Sequence, residues 1–167
     1  VKISSPKVRT PVRFVQITDV HIGSRSAGFL ERVMNKVNAL DADFLCIAGD
    51  FVDAPGITEE QLSALSRCPA PIYFSIGNHE RYEDLEDILQ RLKNLDVTVL
   101  RTDTASEGEV QLIGIDDNDH PAQVARELAK LAVDQSKFVL LLYHRPRGLV
   151  DAAAAGVDLM ISGHTHN

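Results

Sequence analysis

Five short polar segments of this chain carry residues that could do metal chemistry. Asp19 and His21, Asp50 and Asp53, Asn78 and His79, His144, and His164 with His166 each follow an apolar run directly. Singly, each has an ordinary explanation. An Asp after a strand is usually a turn or a helix N-cap, Asn78 after Gly77 fits a plain turn, and a lone His is more often packed than ligating. Together they resist it, because five of the six histidines fall in these segments and only His120 lies elsewhere.

The residue types narrow the chemistry. Neutral imidazole, carboxylate and an amide oxygen form a mixed nitrogen and oxygen set suited to Mn, Fe or Zn, harder than a thiolate site and softer than an all-oxygen one. Seven candidate ligands are more than one ion takes while leaving room for water and substrate. Two divalent ions sharing a carboxylate, roughly 3.5–4 Å apart, fit better.

The elements that must position these groups follow from the hydrophobic pattern. Val12–Thr18, Phe44–Ala48, Ile72–Ile76, Phe138–Leu142 and Val157–Ile161 read as strands, and helical spacing marks Phe29, Val33, Val37 and Leu40, Glu59–Ser66, Tyr82–Leu92 and Val124–Leu131. Such alternation predicts parallel strands joined by crossover helices. Val97–Leu100 and Val110–Ile115, separated by polar residues and Gly108, are expected to pair locally. The carboxyl ends of strands face the ligand crevice in open α/β sheets, so the five polar segments converge. The fold class is α/β, with either a mixed sheet or two stacked sheets.

Composition bounds the rest. With 167 residues and 44% hydrophobic content, one domain is expected over residues 1–167. The net charge of −7 argues against a broad basic surface for nucleic acid, and two divalent ions would bring it to −3 with the positive charge placed where an anion could use it. Cys46 and Cys68 form no disulfide framework. No run reaches the roughly 18 apolar residues of a membrane span, and no signal peptide is visible. A cytoplasmic or membrane-associated location is expected, with peripheral membrane contact left open.

The motifs Asp19-Val20-His21, Gly49-Asp50-Phe51-Val52-Asp53, Gly77-Asn78-His79-Glu80, His144 and Gly163-His164-Thr165-His166 resemble, in order, the motif set of calcineurin-like metallophosphoesterases. That resemblance implies a fold of two stacked mixed β-sheets flanked by helices, and it implies that Asp19, His21 and His166 hold one ion, that Asn78, His144 and His164 hold the other, and that Asp50 bridges them. It also implies that a water or hydroxide shared by the ions attacks phosphorus, with His79 assisting the leaving oxygen and Asp53 orienting the His79 ring. Ala54 stands where protein phosphatases of the family carry Arg, and the chain looks more like the small bacterial phosphohydrolase branch, which acts on small or lipid-linked phosphoesters. Family members usually continue past the last motif, so the domain is expected to be incomplete after Asn167.

Arg25, beside the first motif, and Arg145 and Arg147, beside His144, are candidates for contact with substrate phosphate. Asp116, Asp117 and His120 follow a strand and either line the cleft or start a helix before Pro121. The competing reading is a non-catalytic scaffold that keeps the fold and binds a protein partner. Such a scaffold has no need for His79.

Overall fold

A computed structural model describes residues 1–166, and the expectation for the chain's end at Asn167 lies outside the described residues. The first sheet is built from β1 (Phe14–Ile17), β2 (Phe44–Ala48), β3 (Ile72–Ser75) and β4 (Val97–Val99), in that spatial order and all parallel. The second contains β5 (Asp103–Glu107), β6 (Val110–Ile115), β7 (Phe138–Tyr143) and β8 (Leu159–Ile161), with β5 antiparallel to β6 and the other pairs parallel. Helices α1 (Ala27–Asn38), α2 (Glu59–Leu62) and α3 (Leu85–Asn94) belong to the first half, and α4 (Gln123–Leu128) and α5 (Leu149–Ala154) to the second.

Side-chain alternation explains the layering. Along β2, Leu45 and Ile47 join the cluster with Leu30, Met34 and Leu89 from the helices, while Phe44 and Cys46 point the other way. There they meet Leu112, Leu140 and Leu142 of the second sheet, which makes the contact between sheets. Ile113, Val139 and Leu141 turn outward onto Val124 and Leu128 of α4 and Ala152 of α5. Strands covered on both faces lose the polar half of the alternation, which is why β2, β3, β6 and β7 are buried throughout.

Three expectations change. The stacked sheets are present, but only the second is mixed. Val97–Val99 pairs in parallel with β3, and the antiparallel partner of β6 is β5, whose sequence Asp-Thr-Ala-Ser-Glu gives no apolar signal because it lies at a sheet edge with its residues half-buried or exposed. Two expected helices are shorter, since α2 tightens into a 3₁₀ turn at Ser63–Arg67 and the helix expected over Tyr82–Leu92 begins at Leu85, after a separate 3₁₀ turn at Glu80–Tyr82. Among the described residues, no helix is long and apolar enough to cross a membrane.

This topology aims the polar segments. Parallel strands β1, β2 and β3 end at one side of their sheet, and β7 and β8 end against them. Cross-sheet hydrogen bonds lock the ends together: Asp117 N–H donates to the Ile76 carbonyl (3.1 Å) and Gln16 Nε2 to the Ser162 carbonyl (2.8 Å).

Candidate metal centre

The backbone at these strand ends is strained. Asp19, His21, Asp50, His164 and His166 have φ of 53°, 54°, 50°, 75° and 53°, a left-handed conformation that costs a non-glycine residue on the order of 1 kcal/mol. They are five of the eight such residues in the described chain, so the strain is concentrated on the candidate ligands. Neighbouring loops impose it. Asp19 N–H donates to the Gly49 carbonyl (3.2 Å), His21 N–H to that of Asp50 (3.1 Å), and Ile22 N–H to that of Phe51 (2.8 Å).

Glu80 supplies the main brace, a role not visible in the sequence beyond its membership of a motif. Its side chain is wholly buried and accepts the N–H groups of Asp50 (3.1 Å), Phe51 (2.6 Å), Val52 (3.0 Å) and Gly77 (2.8 Å). Burial pushes its carboxyl above the usual range while these donors pull it back. One carboxylate thus ties the loop after β2 to the loop after β3. Gly77 makes the approach possible, since a Cβ there would stand 2.2 Å from Asp50 Oδ1.

The ligand atoms gather in three overlapping groups, each within 4.8 Å: Asp19, His21 and His166; Asp50, His144 and His164; and His21, Asp50 and His79. The first two are the sets expected for two ions, with Asn78 to be added to the second. His144 Nδ1 lies 2.8 Å from the Ala48 carbonyl, so it carries the proton and leaves the Nε2 lone pair free. That Nε2 stands 3.0 Å from Asp50 Oδ2 yet makes no hydrogen bond, as two lone pairs aimed at a common point would do. Asn78 Oδ1 is likewise buried without a partner. Orphaned buried acceptors of this kind fit a cation. Asp19 accepts from Thr18 Oγ1 (2.8 Å) and from His164 N–H (3.1 Å), which joins the first motif to the last.

Charge follows the same geometry. Burial opposes ionisation of Asp50, but His144 and His79 win and hold its carboxyl below the usual range. His164 is held below the ordinary imidazole range by burial and by its neighbours His144 and Arg145.

Three sequence assignments are revised by position. Asp53 does not reach the His79 ring: its Oδ2 lies 3.2 Å from His21 Nδ1 and its Oδ1 accepts the Ser24 N–H (2.8 Å), because the loop after β2 runs beside the first motif. Arg145 is occupied by acids, with Nε and an Nη on Asp117 (2.6 and 3.1 Å) and its other Nη on Asp119 (2.9 Å). Arg147 also faces Asp119, at 3.6 Å. Asp116 accepts from Arg81 and Arg101, and His120 Nδ1 accepts the Ala122 N–H, so the segment after β6 is an ion-pair and turn cluster. Arg25 stays exposed, its guanidinium 4.7 Å over the Phe29 ring. His79 keeps a side chain 39% exposed, with Nε2 3.9 Å from Asp50 Oδ2 and its N–H on Asp50 Oδ1 (2.9 Å).

Residues 12–167 match the family described as calcineurin-like phosphoesterase. Over 99% of its length the chain is 29% identical to an uncharacterized metallophosphoesterase of Campylobacter jejuni, of which it covers 47%. It is 32% identical to one of Aquifex aeolicus, across 94% of the chain and 64% of that protein. A transmembrane protein with metallophosphoesterase domain from Danio rerio is 28% identical across 96% of the chain and 41% of its own length. The chain thus spans about half the length of several curated relatives it matches. The solved phosphopantetheinyl hydrolase of Mycobacterium tuberculosis shares the fold, with a TM-score of 0.64 at 15% identity over 92% of this chain and 83% of that one.

Proposed function

The chain belongs to the calcineurin-like phosphoesterase family, and from that premise we propose that it hydrolyses a phosphoester or pyrophosphate bond of a small or lipid-linked substrate. Asp19, His21 and His166 would hold one divalent ion, Asn78, His144 and His164 a second, and Asp50 would lie between them, with Mn, Fe or Zn suited to the donor set. The observation that carries this reading is the pair of buried acceptors without partners, Asn78 Oδ1 and His144 Nε2. Each costs about 1–3 kcal/mol if left unsatisfied, and a bound cation removes that cost.

When bound, such ions lower the pKa of water and neutralise charge on phosphoryl oxygens. The chain's own groups do the remaining work. The Ala48 carbonyl fixes the tautomer of His144, and the Asp53 carboxylate does the same for His21. His79, open to solvent, would give a proton to the leaving oxygen. Arg25, with no acid partner among the described residues, is the guanidinium left for substrate phosphate.

Metal-reconstituted protein tested on a chromogenic phosphodiester, nucleotide-linked pyrophosphates and a phosphopeptide decides the matter. The expected result is close to two ions per chain and higher kcat/KM on the small substrates than on the phosphopeptide. Less than about one ion per chain after metal addition, with no turnover, would falsify the reading. Although burial opposes it, Asp50 and the Ala48 carbonyl raise the proton affinity of His144, so proton and cation compete for Nε2 and metal retention should fall as the pH is lowered.

A further inference from the structure

We propose that Tyr82 selects substrates whose leaving group carries a planar aromatic or heteroaromatic ring. The inference rests on the hydrolase reading in taking the metal centre to hold the phosphoryl group and His79 to face the leaving oxygen.

Tyr82 is mounted rigidly beside that histidine. It ends the 3₁₀ turn Glu80–Tyr82, which the buried Glu80 carboxylate anchors, and its N–H donates to the His79 carbonyl (3.0 Å) while Arg81 N–H donates to that of Asn78 (3.2 Å). The ring itself is open. The other two tyrosines are buried, with hydroxyls donating to Glu107 and to the Asn118 carbonyl, whereas Tyr82 is 72% exposed and makes no such bond among the described residues. A single exposed aromatic is ordinary on a protein surface. This one closes a line of rings that starts in the candidate centre: His166 to His21 at 5.1 Å, His21 to His79 at 4.7 Å, and His79 to Tyr82 at 5.8 Å and 71°.

The chemistry of the plate follows from what surrounds it. Arg81, the adjacent cation, is drawn to Asp116 (3.3 Å), so this wall offers an aromatic face in preference to charge. An aromatic face next to the proton donor favours a leaving group that can stack, because every planar ring has a π-face and stacking is tolerant of its identity. A ring on the leaving group would lie on Tyr82 as the phosphoryl group is held further along the line.

Two non-hydrolysable probes test this without turnover: phenylphosphonate, with a planar ring on phosphorus, and methylphosphonate, without one. Titrated calorimetrically into the metal-loaded chain, wild type should prefer phenylphosphonate by roughly tenfold or more. Tyr82→Phe should keep that preference, and Tyr82→Ala and Tyr82→Leu should lose it while methylphosphonate binds as before. An unchanged preference in Tyr82→Ala, equal weakening of both probes, or failure of wild type to bind either one overturns the proposal. Thermal melts of each variant exclude misfolding as the cause. Esterase assays run alongside separate the two ideas. A Tyr82-dependent preference without hydrolysis leaves the plate and removes the hydrolase, and hydrolysis with a Tyr82-independent preference does the reverse.

Discussion

Asp50, Asn78 and His144 are 1%, 8% and 0% exposed, whereas the side chains of His79 and His166 are 39% and 57% exposed, so the candidate centre has a closed half and an open half. The closed half sits where the ends of β2, β3 and β7 meet, and two of its groups are fixed by backbone contacts from another loop, Asp50 Oδ1 by the His79 N–H and His144 Nδ1 by the Ala48 carbonyl. The open half hangs on the first and last motifs, with the His79 ring beside His21 at 4.7 Å, and its imidazoles are held by side chains: Asp53 on His21, and Asp19 near His166 at 3.5 Å. The two halves divide the labour. Geometry is stored where water is excluded, and exchange with substrate takes place where it is not.

Asp50→Asn is the most severe test of that division. Asp50 lies within reach of His21 from the one ion set and of His144 and His164 in the other, so removing its charge should release ions from both halves and lower turnover by on the order of 10⁴. Retention of one ion at full affinity, seen by elemental analysis, would mean that the halves are independent. His79→Ala comes next. A proton donor in the open half can be removed without disturbing the closed one, so metal content should stay near wild type while kcat falls by on the order of 10²–10⁴, and less with an activated leaving group. Loss of metal would instead make His79 a third ligand beside His21 and Asp50, an arrangement their atoms can reach.

What was legible in the sequence tracks this contrast. The strand ends were readable because β2, β3, β6 and β7 are buried on both faces and appear as apolar runs, after which a cluster of His, Asp and Asn stands out. The division of those residues into two ligand groups comes from the resemblance to the metallophosphoesterase motifs and not from the positions themselves. Side-chain pairing was not readable, since nothing in the sequence chooses between His21 and His79 as the partner of Asp53 and the bridge between Ile22 and Val52 sets it beside His21. Arg145 misled for the same reason: nothing in its own segment announces that Asp117, after a different strand, will take it. Glu80 was hidden because a charged residue in a loop reads as solvated, and its burial depends on four N–H groups converging from two loops.

Glu80→Gln measures how much the closed half depends on that convergence. The new amide would turn an N–H₂ toward backbone N–H donors and leave at least one of them unpaired at a fully buried position. A loss of about 3 kcal/mol in folding stability is expected, read as a lower urea midpoint with an unchanged m-value. Metal affinity should fall with it, because the Asp50 loop loses its brace. An unaltered midpoint would mean that the loops hold each other without the carboxylate, and the closed half would owe its rigidity to packing alone.

Asp53→Asn is the finest probe, because it reaches only the open half and does so through a proton. Burial opposes ionisation of Asp53, but the Ser24 hydrogen bonds and then His21 and His79 hold its carboxyl below the usual range, so at neutral pH it is an anion. An anion beside His21 Nδ1 keeps the proton there and leaves Nε2 bare, 3.3 Å from His166 Nε2. An amide in its place can offer N–H₂ to Nδ1 instead, which moves the ring proton to Nε2 and points it at the ion. Affinity at the Asp19, His21 and His166 set should then drop by on the order of 10–100-fold, with the Asp50, His144 and His164 set unaffected. Because the His79 ring has no bond to Asp53, saturating metal should restore kcat close to wild type. Stepwise metal titration with kcat measured at each step reads both quantities. If kcat stays low at saturation while both ions bind normally, Asp53 acts on His79 after all, and the open half is organised around the proton donor rather than around its ion.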